Sequence, residues 1–456
     1  VTLRLILTRH GLSSFNIERR IQGRDDLSTL TQEGRTQADR AGRALQGVSV
    51  DGIWSSPLAR AADTARIVSA AIGHPTDGIV WSDELLEVDL GLWSGFRAPD
   101  LASRFPEAWA TWRRNPGALE LERPDGSRYL PMVELMAQAE RALATISAQH
   151  PPDQGERTAV VVGHNMILKA MVLAMAGGSL SELRSLRFDN ASLSVVNVSS
   201  SARRSQPSFA PFSERYGVQL ESLNCTSHLG RGWLDHVGSG CRVLLVRHGE
   251  TDWNREGRFQ GQIDIPLNDQ GRRQADAARG CLKGVPLQQA WSSRLSRPRE
   301  TAEAILQDHA GVELGLTDGL LEIGHGLWEG RLEREIAAEW PDLLADWKRA
   351  PETVTMPEGE TIQQVAGRAL ACWRGVVCSL GGGETALVVA HDAVNKTILC
   401  DLLGLTPAHI WAIKQGNGGV SVVDYPDGAS GEGVVSVLNN TSHLGDVLDR
   451  TAAGAL

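Results

Sequence analysis

The tripeptide Arg9-His10-Gly11 returns as Arg247-His248-Gly249, and the match continues beyond it. Each triplet closes a short apolar run, Leu3 to Thr8 and Val243 to Val246. At the same spacing, Asn16 and Gln22-Gly23 follow in the first copy and Asn254 and Gln260-Gly261 in the second. The offset over this block is 238 (248 − 10). Solenoid repeats have periods of about 20–50 residues, so a period this long means two whole domains in tandem. One fold, used twice, has to accommodate every matched block.

The later blocks keep their order. Leu30-Thr31-Gln32-Glu33-Gly34 is answered by Leu267-Asn268-Asp269-Gln270-Gly271, and Ser56-Pro57-Leu58-Ala59-Arg60 by Ser293-Arg294-Leu295-Ser296-Arg297. Leu86-Glu87 matches Leu321-Glu322, each shortly before Gly-Leu-Trp. Val162-Gly163-His164 matches Val389-Ala390-His391, and Ser227-His228-Leu229-Gly230 matches Ser442-His443-Leu444-Gly445. The offset falls through 237, 235 and 227 to 215, so insertions and deletions lie between blocks. The last drop places an insertion in the first copy, centred on the polar stretch Ser199 to Ser205 and read as a loop between strands. Domains are expected at 1–232 and 240–447, with a tail at 448–456 and the junction around Arg231 to Gly240.

Strand and helix patterns alternate. Leu3 to Leu7, Gly52 to Trp54 and Thr158 to Val162 are short apolar runs that read as buried strands. Thr31 suits the N-cap of a helix whose inner face carries Ala38, Ala41 and Leu45. Leu58 to Ala71 and Met166 to Met175 read as further helices. The expected fold class is α/β: two tandem three-layer α/β/α domains, each with a mostly parallel sheet. In such sheets ligands bind beyond the carboxyl ends of strands. Both Arg-His-Gly triplets and both later histidines fall there.

Composition narrows the partners. The chain has 456 residues with a formal charge of −10, which argues against nucleic acid. No apolar stretch reaches the ~18 residues of a membrane span, and the N-terminal residues do not read as a signal peptide. Six cysteines lie between Cys225 and Cys400 with no Cys-x-x-Cys pair, so reduced thiols in a cytoplasm, without a metal site, are expected.

Each copy brings together two strand-end histidines, two arginines and a glutamate. Arginine meets the oxygens of a phosphoryl group with a planar fork of donors. Neutral imidazole attacks phosphorus, and a carboxylic acid of raised pKa can protonate a leaving alkoxide. No metal or other cofactor is required by this chemistry.

These blocks together resemble the histidine phosphatase superfamily, in its phosphoglycerate mutase-like branch, over nearly the whole chain. The resemblance implies that His10 and His248 are nucleophiles and that Glu87 and Glu322 are proton donors. It implies phosphate binding by Arg9, Asn16, Arg60 and His164 in the first domain and by Arg247, Asn254, Arg297 and His391 in the second. Gln22-Gly23 and Gln260-Gly261 match the family's loop beside the site. The tandem form and the stretch Pro131-Met132-Val133-Glu134-Leu135 further resemble the two-domain 2-carboxy-D-arabinitol-1-phosphatase group. The partner implied is a small phosphorylated metabolite such as a sugar phosphate or sugar-acid phosphate, and oligomeric state stays open.

Departures from the family pattern matter as well. Leu12 stands where Glu or Gln is usual and where the second copy has Glu250, which marks the first domain as the one more prone to have lost turnover. Asn165 and Asp392 follow the second histidine, where Gly is common. A mutase of the family would carry Glu-Arg-His-Tyr-Gly after its acidic residue, whereas Glu87-Val88-Asp89 and Glu322-Ile323-Gly324 stand here, favouring hydrolysis. The alternatives are a phosphoglycerate mutase, and a binding protein that senses phosphosugars with one or both sites inactive. Substrate choice is expected to lie in cap segments Ala98 to Pro131 and Arg331 to Pro357. There Arg113-Arg114 and Lys348-Arg349 read more readily as solvated helix ends than as ligand contacts. His228 and His443 read as structural neighbours of the site, and the 13 tryptophans as core and cap packing.

Overall fold

A computed structural model describes residues 2–200, 210–230 and 239–445. The chain divides into two compact units, Val1–Arg231 and Gly232–Leu456. The expected junction and tail fall largely outside the described residues, as does most of the inferred insertion. Of that insertion, Ser199 and Ser200 belong to a strand instead, because Ser199 pairs with Thr2 on one side and Gly217 on the other.

In the first unit the strands are β1 (Thr2–Arg9), β2 (Gly52–Ser55), β3 (Ile79–Trp81), the small hairpin β4 (Leu121–Glu122) and β5 (Arg128–Tyr129), then β6 (Arg157–Gly163), β7 (Leu193–Ser200) and β8 (Tyr216–Cys225). The main sheet runs β3-β2-β6-β1-β7-β8. β3, β2, β6 and β1 are parallel, and β7 and β8 are antiparallel additions. β1 and β6 are near-continuous apolar runs because strands at the centre of such a sheet are covered on both faces. Right-handed crossovers fix the layers. The steps β1→β2→β3 move one way along the sheet and place the helices Gln32–Ala44 and Ala59–Ile72 on one face. The steps β3→β6→β7 return, placing Pro131–Gln149 and Asn165–Ala176 on the other.

The second unit repeats this with β9 (Cys241–Arg247), β10 (Gln289–Ser292), β11 (Leu314–Leu316), β12 (Thr385–Ala390), β13 (Val420–Tyr425) and β14 (Val434–Asn440), ordered β11-β10-β12-β9-β13-β14. Its helices Asp269–Leu282, Ser296–Leu306, Ile362–Cys378 and Asp392–Leu402 correspond in order. Caps form where expected: the Thr31 side chain accepts from Gly34 N, and Asn268 from Gly271 N.

Register places the site. Arg9 is level with Gly163 across β1 and β6, and Arg247 with Ala390 across β9 and β12. The residue that follows each strand is a histidine, so His10 and His164 emerge side by side, as do His248 and His391. The backbone N–H of His10 bonds Gly163 O at 3.0 Å, and that of His248 bonds Ala390 O at 3.1 Å. The glycine that follows is sterically required. A Cβ on Gly11 would stand 2.2 Å from Gly34 O, and one on Gly249 2.3 Å from Gly271 O. The loop after the strand therefore lies directly against the start of the first helix.

A buried ion pair staples the antiparallel side of each sheet, built differently in the two units. Arg4 on β1 pairs with Glu221 on β8 at 3.2 Å, while Asn197 on β7 donates to the same carboxylate at 2.6 Å. Arg242 on β9 instead pairs with Asp424 on β13 at 2.7 Å, and Ser436 on β14 donates to it at 2.5 Å. The carboxylate has changed strands, and the neutral partner has changed with it.

Candidate active site

His10 is buried, and its Nδ1 lies 2.8 Å from Gly11 O. A carbonyl only accepts, so Nδ1 carries the hydrogen and Nε2 keeps its lone pair. His248 has the same arrangement, Nδ1 to Gly249 O at 2.7 Å. Burial pushes the His10 imidazole well below its usual pKa, and the charges of Arg9 and Arg60 push it further. Burial acts likewise on His248, followed by Arg297 and Arg247. Both rings are therefore neutral near pH 7 with Nε2 available.

The second histidine sits beside the first, with ring centroids 5.2 Å apart in each domain. His164 Nε2 lies 2.8 Å from Ser56 Oγ, and its buried Nδ1 has no partner among the described residues. Neither ring nitrogen of His391 has one. Burial holds both imidazoles well below their usual pKa.

The arginines are gripped by backbone carbonyls. Arg9 donates to Phe188 O at 2.8 Å and Arg247 to Gln415 O at 2.5 Å. Arg60 donates to Gly23 O and Asp25 O, and Arg297 to Gly261 O and Ile263 O. The Gln-Gly loop thus fixes the second guanidinium with its carbonyls. The buried Nε–H groups of Arg9, Arg60, Arg247 and Arg297 have no acceptor among the described residues. A buried donor without a partner costs about 1–3 kcal/mol, so such a cluster is suited to an anion.

Asn16 is oriented for donation. Its Oδ1 accepts from Ser13 N at 3.1 Å, Ser13 Oγ at 2.9 Å and Asn190 Nδ2 at 3.1 Å, which leaves its own amide hydrogens to point elsewhere. Asn254 is held the same way by Thr251 and Asn417. Gln22 and Gln260 accept from the same Ser13 and Thr251 hydroxyls.

The glutamates lie at a helix N-terminus. Glu87 accepts from Val88 N, Met166 N and Ile167 N at 2.9–3.2 Å, at the start of Asn165–Ala176. Glu322 accepts from Ile323 N at 3.0 Å and Asp392 N at 3.1 Å. Burial raises the Glu322 pKa, and the neighbouring Asp392 carboxylate raises it further. Every site residue expected from the sequence is therefore drawn to the strand ends of its own domain.

Several local details correct or extend those expectations. Glu250 directs its carboxylate to Arg255 at 2.8 Å and Asn268 at 2.9 Å, not to the histidines. Leu12 in its place removes a peripheral ion pair rather than a catalytic group, so it gives no ground for discounting the first domain. Asn190 and Asn417 extend the site beyond the residues expected from the sequence. Each donates to the carbonyl of the strand-end histidine as well as to the site asparagine. Their signal was a lone Asn repeated at the local offset of 227. His228 bonds Ala191 O and His443 bonds Gly418 O, bracing the turns that carry these asparagines. Lys348 and Arg349 pair with Glu333 and Asp346 on the cap helices. Trp93 packs against Trp109 and Trp112. Among the described residues, no group of His, Cys, Asp or Glu is placed to hold a metal ion, and no helix is long and apolar enough to cross a membrane.

Residues 5–207 and 243–441 each match the histidine phosphatase superfamily (branch 1). The chain is 28% identical to a 2-carboxy-D-arabinitol-1-phosphatase of Triticum aestivum, over 97% of this chain and 86% of that protein. It is 31% identical to phosphoserine phosphatase 1 of Hydrogenobacter thermophilus, over 45% of this chain and 95% of that one. Among solved structures, YhfR of Bacillus stearothermophilus is 30% identical, with 45% of this chain and all of that one aligned at a TM-score of 0.43. With two full copies of the family's domain in its sequence, the chain belongs to the histidine phosphatase superfamily and is a phosphoric monoester hydrolase.

Proposed function

We propose that both domains hydrolyse phosphomonoesters of small metabolites through a phosphohistidine intermediate. The observation that carries this reading is a neutral imidazole with Nδ1 tied to a carbonyl, ringed by buried arginine donors that lack acceptors among the described residues. Nε2 of His10 or His248 attacks phosphorus in line with the ester oxygen, forming the N–P bond as the P–O bond breaks. Arg9, Arg60, Asn16 and His164, or Arg247, Arg297, Asn254 and His391, donate to the equatorial oxygens. Glu87 or Glu322 protonates the departing alkoxide. At Glu322 burial and the Asp392 carboxylate raise the affinity of the carboxyl for that proton. The carboxylate so formed then takes a proton from water, which attacks phosphohistidine and releases phosphate and free imidazole.

The substrate class we propose is a phosphorylated sugar or sugar acid. The likeness to the wheat enzyme across both domains supports 2-carboxy-D-arabinitol 1-phosphate as the first candidate. We place the reaction in a reducing cytoplasm, supported by six free thiols. The domain limits 1–232 and 240–447 belong to the same reading. The test compares phosphate release by His10→Ala, His248→Ala and the double variant on a sugar-phosphate panel, with acid-quenched labelling of phosphohistidine. Each single variant should lose one label and keep part of the activity. Turnover surviving in the double variant would sink the mechanism. Phosphoglycerate isomerisation outpacing phosphate release would favour a mutase, and tight phosphosugar binding without label would favour a sensor.

A further inference from the structure

The two domains differ over the first turn of the helix that follows the second histidine. In the second domain Asp392 forms a buried ion triad. Its Oδ1 lies 3.2 Å from Arg247 NH1, its Oδ2 lies 2.6 Å from Lys396 Nζ, and all three residues are at most 6% exposed. The Trp411 ring covers Lys396, with Nζ 5.0 Å from its centroid. At the local offset of 227, Arg184 replaces Trp411, Asn165 replaces Asp392 and Lys169 corresponds to Lys396.

The first domain therefore keeps both cations and lacks the carboxylate between them. Asn165 directs its amide to Met166 Sδ at 3.5 Å. Lys169 has no hydrogen bond or ion pair among the described residues, and both it and Asn165 are only half-buried where their counterparts are sealed. Burial pushes the Lys169 amine down to about 8, with Arg9, Arg184 and Arg187 pushing the same way and Glu87 opposing them. A cation cluster next to the phosphate-binding arginine is costly unless an anion joins it.

We propose that Arg9, Asn165 and Lys169 form a second anion subsite in the first domain that takes the carboxylate of a phosphorylated carboxylic acid, and that the second domain has filled the same subsite with its own Asp392. The second domain supplies the ligand geometry: a carboxylate with one oxygen on the arginine and the other on the lysine. The first domain is thereby specific for acidic phosphate esters, and the second for esters neutral at that position. This assignment rests on the phosphatase reading above for its substrate but not for its binding.

The test uses 2-phosphoglycolate and 2-hydroxyethyl phosphate, which differ only in a carboxylate against a hydroxymethyl group. The full-length His248→Ala chain should favour phosphoglycolate at least tenfold in kcat/KM. Lys169→Met should cut that ratio about tenfold through KM, and Lys169→Arg should restore most of it. The His10→Ala chain should show no such preference, and adding Asp392→Asn should create one. A ratio unmoved by Lys169→Met overturns the subsite even if both esters are hydrolysed. If neither ester is hydrolysed and no phosphohistidine forms, the phosphatase reading fails on its own. Calorimetric titration then decides the subsite: phosphoglycolate binding weakened by Lys169→Met supports it, and unchanged binding overturns it.

Discussion

Replacing Asp392 by Asn, the residue its counterpart carries, isolates what the buried triad contributes. At an effective dielectric of 20, a unit charge 2.6 Å from Lys396 and 3.2 Å from Arg247 gains about 6 and about 5 kcal/mol before desolvation. Burying the three charges cancels most of that. Removing one member of a buried ion pair nonetheless costs about 3–5 kcal/mol, because the remaining charges lose their partner. Asparagine still offers an amide oxygen, so we place the loss at about 3 kcal/mol. For a domain this size that lowers the unfolding midpoint by about 6–12 °C. Scanning calorimetry reads it, with hydrogen exchange of segment 392–402 assigning the transition to the second domain. Adding Lys396→Met removes the stranded charge and should recover at least half the loss. The same substitution removes a negative charge that raises the Glu322 pKa. A raised carboxyl stays protonated to higher pH, so the alkaline limb of second-domain activity should move to lower pH. A midpoint within 2 °C of the unchanged chain, or an unmoved alkaline limb, would refute the reasoning.

Three further outcomes are expected. Glu322→Gln in a His10→Ala chain should slow alkyl phosphate hydrolysis by about 10²–10⁴, with much less effect on an activated aryl phosphate whose leaving group needs no proton; equal losses would deny the acid role. Nine histidines among the described residues have depressed pKa values, with His228 and His443 at about 4 and His325 at about 3. The unfolded chain takes up their protons first, so stability is full above about pH 6.5 and falls as pH drops through that value, His228 and His443 each contributing ~3 kcal/mol by pH 4. Urea midpoints equal at pH 7.5 and pH 5 would contradict this. Gly11→Ala and Gly249→Ala, which drive a Cβ to 2.2–2.3 Å from a carbonyl oxygen, should each abolish phosphohistidine labelling in their own domain alone.

The residues legible in the sequence were those whose physics is local. β1 and β9 announce themselves because a strand covered on both faces has to be apolar throughout. The histidines at their ends follow from the strand limits, and the caps at Thr31 and Asn268 follow from side-chain chemistry. What stayed hidden depends on register between distant segments. Asn190 reaches His10 O only because the turn between the 3-10 helix Leu180–Arg184 and β7 folds back over β1. Asp392 and Lys396 stand at helical spacing, but nothing in that spacing says that Arg247 waits on the other side. The difference at Asn165 was visible, whereas its meaning required the counterpart in place.

The relocated carboxylates of the strand staples bear on how a duplicated chain avoids misassembling itself. Two homologous domains on one polypeptide risk exchanging equivalent strands while folding, a hazard particular to tandem repeats. Were β7 to dock on β9, Arg242 would meet Asn197 and find no counter-charge. Were β13 to dock on β1 beside β8, Asp424 and Glu221 would crowd a single arginine. Either hybrid leaves a buried charge unmatched, while each native pairing balances. The staples thus act as a key that tells each strand which copy it belongs to. Giving the first domain the second domain's arrangement, Asn197→Asp with Glu221→Ser, should keep its own staple intact yet lower the refolding yield of the full chain. An unchanged yield would show that the key plays no part in sorting the strands.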